Sequence, residues 1–356
     1  MKVLYLNVHD ESYPRNNRIR QYLMDAGHDV VMASRRTSTS YFRVLADTFL
    51  SGVRHGRGVD AIVLSELSIK YSVAAWLAAR CRRSLFVADA FVGWHETTIE
   101  DWGKYAGAGL RARGYLAVDR FAVRHSDLTL TDTVIRARRL HEWGAKHSLA
   151  LPVGAPEWAG PASRLRNVGE PVSVLYYGNF IPLHGLEYVL RTIAALPTDR
   201  FQFTFIGDGE ARPGIEQLAR ELDVHSRIRW LDGMTPAELR EHIVAADVVL
   251  GIFGESPKAR SVLANKVWQG LSVGRYVITR TSDALAELRP VVGREQLIEV
   301  DPSDGRALER ALQACADRVQ SEEYPDYSAS ADKLEAYVAG MYDEFGTALV
   351  GTAGSA

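Results

Sequence analysis

Residues 174–190, VLYYGNFIPLHGLEYVL, read as a strand that runs into a turn at Gly178, a short loop, and a helix opened by Gly185. A junction of this kind aims unpaired backbone N–H groups and the positive end of a helix dipole at whatever lies before it, which is anion chemistry. The loop itself holds Asn179 and His184, neither a permanent cation, so charge for a bound phosphate must come from elsewhere. Residues 251–279 offer it: an apolar run ends at Phe253, and a polar loop with Lys258, Arg260, Asn265 and Lys266 follows before helix 266–273, which Gly274 closes. Three cations and a helix N-terminus form a cradle for a diphosphate; the plainer alternative is an exposed basic loop. A third loop, FIGDGEARPG, places Gly207 and Gly209 between a strand and a helix beginning near Pro213, where a missing Cβ lets backbone approach a ligand. Arg212 stands where GxGxxG needs its last glycine, so an ordinary strand-to-helix turn explains this loop equally well.

Other chemistries lack their residues. HETTI, from His95, is not HExxH, and there is no DxD pair, no GxSxG and no GxxxxGK[ST]. Cys81 and Cys315 lie far apart without metal-ligand spacing, so neither a disulfide framework nor a metal site is expected.

The elements that must position these loops alternate along the whole chain. Apolar β-type runs at 3–8, 29–33, 59–65, 84–90, 127–131 and 148–153 are separated by helical patterns near 16–26, 70–82 and 107–125. The aperiodic, Gly- and Pro-rich segment 154–171 reads as a linker, and a second series follows at 172–177, 201–206, 227–231, 247–253, 275–279 and 296–300. The expected fold is therefore α/β, with two doubly wound Rossmann-like domains facing across a cleft, and ligands sit beyond the carboxyl ends of such strands. The domain expectation is 1–153, a linker 154–171, 172–330, and a last amphipathic helix with tail at 331–356.

The net charge of −2 gives no bulk affinity for nucleic acid. It hides an asymmetry, because residues 1–153 hold 22 Lys and Arg against 15 Asp and Glu, leaving 20 against 29 in the rest. The first half is the one that favours an anionic acceptor or a peripheral membrane contact, unless its cations only solvate helix faces. The strand pattern MKVLYLNV leaves no room for a signal peptide, and no apolar run approaches the ~20 residues of a membrane span, so a cytoplasmic enzyme is expected.

The segments at 1–30, 174–196 and 243–279, with FIGDG between the last two, resemble bacterial GT-B glycosyltransferases of the GT4 type (group 1). The resemblance implies a nucleotide-diphosphate-sugar donor, UDP- or GDP-linked, on the second domain, and a saccharide, lipid-linked or natural-product acceptor on the first. It further implies retention at the anomeric carbon, no cofactor, no required metal ion and a C-terminal helix that crosses back to the first domain. Relatives hold the diphosphate with Arg and Lys where this chain has Asn179 and His184, and show a Glu-x7-Glu pair where it has Ser261 and Gln269. The expected compensation is a shift of the cations to Lys258, Arg260 and Lys266, with Gln269 at the ribose, Glu255 at the sugar, and Gly233 and Met234 near the base.

Phosphate charge would then be met by those cations, by His184 as a titratable imidazole, and by the Gly178 and Gly185 N–H groups. On the acceptor side, Asp89, His95, Glu96 and Asp101 follow the fourth strand, and Asp10 and Arg15 the first. Two other classes fit the departures from the family pattern: a catalytically silent nucleotide-sugar-binding protein, and another GT-B enzyme such as an epimerase or a transferase with a non-hydroxyl acceptor.

Overall fold

Runs such as VLYLNV and VSVLYY are apolar at almost every position, so they pair into sheets covered on both faces. The computed structural model describes all residues except 39, 102–108, 165, 167–168, 322–323 and 355–356. It forms two units: Met1–Val153 with Val338–Ala356, and Gly154–Tyr337.

In the first unit the order is β1 (Lys2–Val8), α1 (Pro14–Asp25), β2 (Asp29–Ser34), α2 (Tyr41–His55), β3 (Ala61–Leu64) and α3 (Ser72–Arg82). It continues with β4 (Leu85–Asp89), α4 (Leu110–His125), β5 (Leu128–Thr131), α5 (Val134–Glu142) and β6 (Ser148–Ala150). The strands lie in the order β2-β1-β3-β4-β5-β6, all parallel. Expectation and structure differ at 148–153, where only three residues pair before the chain leaves the sheet edge. Helix α2 was not among the expected helices.

The second unit runs β7 (Val172–Tyr177), α6 (Leu186–Ala195), β8 (Phe201–Ile206), α7 (Arg212–Glu221), β9 (Ile228–Leu231) and α8 (Pro236–Ala245). Then come β10 (Val248–Leu250), α9 (Asn265–Val273), β11 (Tyr276–Arg280), β12 (Leu297–Val300), α10 (Ala307–Ser321) and α11 (Ala329–Gly354). The parallel order β12-β11-β10-β7-β8-β9 reverses direction between β7 and β10, so the loops after these two strands lie at the switch point. Expected strand 247–253 shortens to three residues: Gly251 N–H still donates to Ile278 O, but Ile252 N–H is taken by the Thr279 hydroxyl at 3.2 Å, and the absent side chain of Gly251 leaves room for Thr279, whose Cβ would be 2.4 Å from a Cβ there.

Segment 154–171 is pinned rather than loose: Arg164 and Arg166 both pair with buried Asp247, and Arg275 donates to Ala162 O at 2.8 Å. From Val338 on, α11 packs on the first unit, where Tyr342 meets the ring of Tyr22 edge-on at 5.3 Å and Phe345 and Leu349 are fully buried. Among the described residues, no helix is long and apolar enough to cross a membrane.

Candidate active site

The switch-point loops of the second unit are locked together by backbone. Gly178 N–H donates to Ile206 O at 3.0 Å, Phe180 N–H to Asp208 O at 2.8 Å, and Phe253 N–H to His184 O at 3.0 Å. The glycines make this possible: a Cβ on Gly207 would lie 2.2 Å from Gly178 O, one on Gly209 2.5 Å from Phe180 N, and one on Gly185 2.5 Å from Phe253 C. Gly207 and Gly209 thus admit a neighbouring loop, which accounts for both glycines without a ligand. A correction concerns the N–H groups. Gly178 spends its own in the sheet and Gly185 donates to Pro182 O at 3.1 Å, so neither faces an anion. The groups left over at the start of α6 are those of Leu186 and Glu187, as they are at the start of any helix.

Lys266, in the first turn of α9, is buried to 4% exposure. Its Nζ lies 4.2 Å from the centre of the Tyr176 ring, 3.4 Å from His184 Nδ1, and 3.4 Å from where a Cβ on Gly178 would stand. It forms no ion pair among the described residues, and burial drives its pKa well below the usual 10.5. His184 is also buried, with Nδ1 2.7 Å from the Tyr176 hydroxyl, which donates to Asn179 O at 3.1 Å. Burial and the Lys266 and Lys258 charges push its pKa well below 6.5, so the imidazole is neutral at pH 7 and does not act as a titratable cation.

The other expected donor-site residues separate into two groups. Lys258 is buried and adds its charge at His184, and the side chain of Asn265, beside Lys266, makes no hydrogen bond among the described residues. Gln269 is buried too and accepts from the Tyr177 hydroxyl at 2.7 Å, which leaves its two amide N–H bonds as donors. Arg260 and Glu255, by contrast, are exposed and act electrically on Arg280, with Arg260 also near Asp301, so Arg260 is not brought to His184. Ser261 Oγ donates to Lys258 O at 3.1 Å. Gly233 N–H donates to Asp208 Oδ2 at 3.1 Å, with Met234 half-buried beside it. Arg212, noted in the sequence only for spoiling a motif, ties the loops after β8 and β9 together through Gly207 O at 2.7 Å and Asp232 at 2.8 Å. Tyr176 and Tyr177 were read only as strand residues, and nothing in the sequence marks their hydroxyls.

In the first unit, Asp89 is not placed as an open acid or base: it is 1% exposed and held by Arg15 through two bonds of 2.7 and 2.9 Å. Arg15 also donates to Thr131 O, which stitches β4 and β5 to α1 and withdraws it from the loop mouth. Glu96 is likewise taken, by Arg136 at 2.8 and 2.9 Å. His95 is half-buried, its N–H donating to Asp119 at 2.9 Å, while Asp10 caps its own turn through Ser12. The side chain of Asp101 lies outside the described residues.

Glu66, which the sequence gave no reason to single out, sits fully buried after β3, near the β1/β3 switch point. It accepts from Asn16 at 2.9 Å through Oε1, while Oε2 has no partner. Burial and the Asp89 charge raise its pKa to about 7. The folded state therefore binds a proton between 4.5 and about 7 that the unfolded chain has released, so stability falls as pH rises through that window. Glu66→Gln is expected to match wild type at pH 4.5 and to exceed it by roughly 2–3 kcal/mol at pH 8 in urea titrations. An equal effect at both pH values would contradict the assignment.

Two doubly wound parallel sheets, with a cation-bearing switch point in the second, define the GT-B glycosyltransferase fold. Residues 171–318 match the family model described as Glycosyl transferases group 1. Sucrose-phosphate synthase from Thermosynechococcus elongatus superposes with a TM-score of 0.77 at 17% identity, covering 100% of this chain and 99% of that one. Anabaena HepE in complex with UDP-glucose gives 0.70 at 14%, covering 99% and 100%. WaaG, a glycosyltransferase involved in lipopolysaccharide biosynthesis, gives 0.64 at 14%, covering 97% and 98%. No curated protein sequence matches significantly. The matched segment, residues 171–318, is thus that of a group 1 (GT4) glycosyltransferase, a class of EC 2.4 enzymes that transfer a sugar from a nucleotide-sugar donor, and the solved structures show the GT-B fold over the chain.

Proposed function

We propose that the enzyme is a retaining, metal-independent transferase in which residues 172–330 hold the diphosphate of a UDP- or GDP-sugar and residues 1–153 bind a saccharide, lipid-linked or natural-product acceptor. The observation that carries the reading is Lys266, a fully buried cation with no carboxylate partner at the switch point. A diphosphate supplies the missing counter-charge, and Lys258, the Leu186 and Glu187 N–H groups and the Asn265 side chain complete the cradle. As the glycosidic bond breaks, charge grows on the departing phosphate oxygen, and preorganised donors there lower the barrier without reorganising. The UDP and UDP-glucose in HepE support a uridine donor.

Incubation with UDP-, GDP-, dTDP- and ADP-sugars tests this: release of one nucleoside diphosphate, by slow hydrolysis or transfer, is the expected result. Ser261 and Gln269, neutral where relatives carry carboxylates, favour a second reading as a silent binder. Donor binding without turnover would establish that reading and overturn the first.

A further inference from the structure

His184 closes the loop after β7 and is held there from several sides. Its N–H donates to Ile181 O at 3.0 Å, its carbonyl accepts the Phe253 N–H, and its ring meets that of Tyr176 edge-on with centroids 5.8 Å apart. Nδ1 lies 2.7 Å from the Tyr176 hydroxyl. A phenol has one proton to give, and this one goes to Asn179 O at 3.1 Å, which leaves the hydroxyl oxygen as an acceptor. The group that donates across the 2.7 Å is therefore Nδ1–H. The reverse arrangement, with the phenol donating to Nδ1, takes the hydrogen bond from Asn179 O and aims two donors, the hydroxyl and the Lys266 ammonium, at one lone pair. Lys266 has no need of Nδ1: its Nζ, 3.4 Å away, is beyond the usual hydrogen-bond range and rests over the Tyr176 ring, 4.2 Å from its centre.

The consequence falls on the other ring nitrogen. Burial and the charges of Lys266 and Lys258 keep the imidazole neutral at pH 7, and a neutral imidazole carries one N–H. With that proton on Nδ1, Nε2 is a bare lone pair. It makes no hydrogen bond among the described residues, yet it is not one of the partnerless atoms sealed from solvent, so the 8% of His184 that stays exposed includes this atom. An open acceptor thus stands beside a buried cation.

We infer that His184 Nε2 accepts a hydrogen bond from a hydroxyl group of the donor substrate, and that Tyr176 is the positioning residue which fixes the tautomer able to do so. The inference rests on the reading of this switch point as the donor site. An ionised phosphate oxygen offers only lone pairs, so it is turned away from Nε2 and drawn to the Lys266 ammonium. The parts of a nucleotide sugar that carry O–H groups next to its phosphates are the sugar and the ribose, and both offer the same chemistry. His184 then reads the presence of a hydroxyl, while the cations read the charge.

The tautomer is tested without any ligand, in nitrogen-15 spectra of the full chain labelled at histidine. The His184 signal, identified by its loss in His184→Gln, is expected to show Nδ1 protonated and Nε2 bare, unchanged between about pH 6 and pH 8. A protonated Nε2, or a titration in that range, would overturn the inference and leave the donor reading standing. The ligand side is read from dissociation constants for the nucleotide sugar that is turned over and for its deoxy analogues, one for each sugar and ribose hydroxyl. His184→Ala is expected to weaken the full donor roughly 3- to 10-fold, as for one neutral hydrogen bond, and to leave a single deoxy analogue unaffected. A deoxy sugar identifies the sugar as the source, a deoxyribose the ribose. Tyr176→Phe, which keeps the buried ring, frees the proton to move to Nε2 and is expected to reproduce the selective loss. A loss equal across all analogues would put the phosphates at His184 and overturn the inference. Failure of wild type to bind any nucleoside diphosphate sugar would remove the donor reading, and this inference with it.

Discussion

Replacing Lys266 by methionine is expected to lower turnover by at least about 100-fold and, in the same protein, to raise the melting temperature. The first effect follows if Lys266 faces the leaving diphosphate as proposed, where one preorganised group is commonly worth two to three orders of magnitude. The second follows because an ammonium group 4% exposed and without an ion pair has lost its hydration and gained only the Tyr176 ring in return. Methionine fills the same channel with a flexible apolar chain. The sign of the pH dependence is fixed by the lowered pKa. Between its folded value and the usual 10.5 the unfolded chain binds more protons than the folded one, so wild-type stability rises with pH over that span. The advantage of the methionine variant should therefore narrow as pH rises towards 10.5. Steady-state rates and melting curves at several pH values check both halves, and near-wild-type turnover would remove Lys266 from the mechanism.

Arg15→Leu is expected to destabilise the first unit by about 3–5 kcal/mol, the usual result of stranding one member of a buried ion pair. Both partners have 0% side-chain exposure, and Arg15 reaches Asp89 with two bonds while also satisfying Thr131 O. The double change Arg15→Leu/Asp89→Leu should recover much of that loss, because no bare charge is left inside. Urea titrations of the two variants decide the point. A loss below about 1 kcal/mol for the single change would mean that water reaches Asp89.

The difference between what sequence and structure reveal is clearest at these two lysine and arginine sites. Strand positions were legible because a strand covered on both faces must be apolar along its length, as VSVLYY is, and the switch point follows once the strands are ordered. Lys266 was legible as a residue of the cradle but not as a buried one, since a lysine at a helix start is ordinarily solvated. His184 was read as titratable from the ordinary imidazole pKa near ~6.5. The groups that keep it uncharged, Lys258 and Lys266, are supplied by the loop after β10 and the first turn of α9. The Arg15–Asp89 pair spans 74 residues and exists only after β4 and α1 are brought together, so both members were read as loop residues free to meet an acceptor. The GDG glycines show the same limit: the spacing announced a close backbone approach, and only the fold shows that the backbone approaching is Gly178–Phe180. Helix α2 was missed, although its apolar face supplies Val44 and Thr48 to the interior.

The first unit is assembled from two pieces of chain separated by the whole of the second. Tyr342, Phe345 and Leu349 of α11 fill space beside α1 that residues 1–153 cannot fill themselves. An isolated amino-terminal fragment would thus carry an open seat, and a peptide of residues 338–354 is its natural complement. The protein is in this sense already divided for fragment complementation, with the covalent connection between the halves of its first unit provided by the whole of residues 154–337.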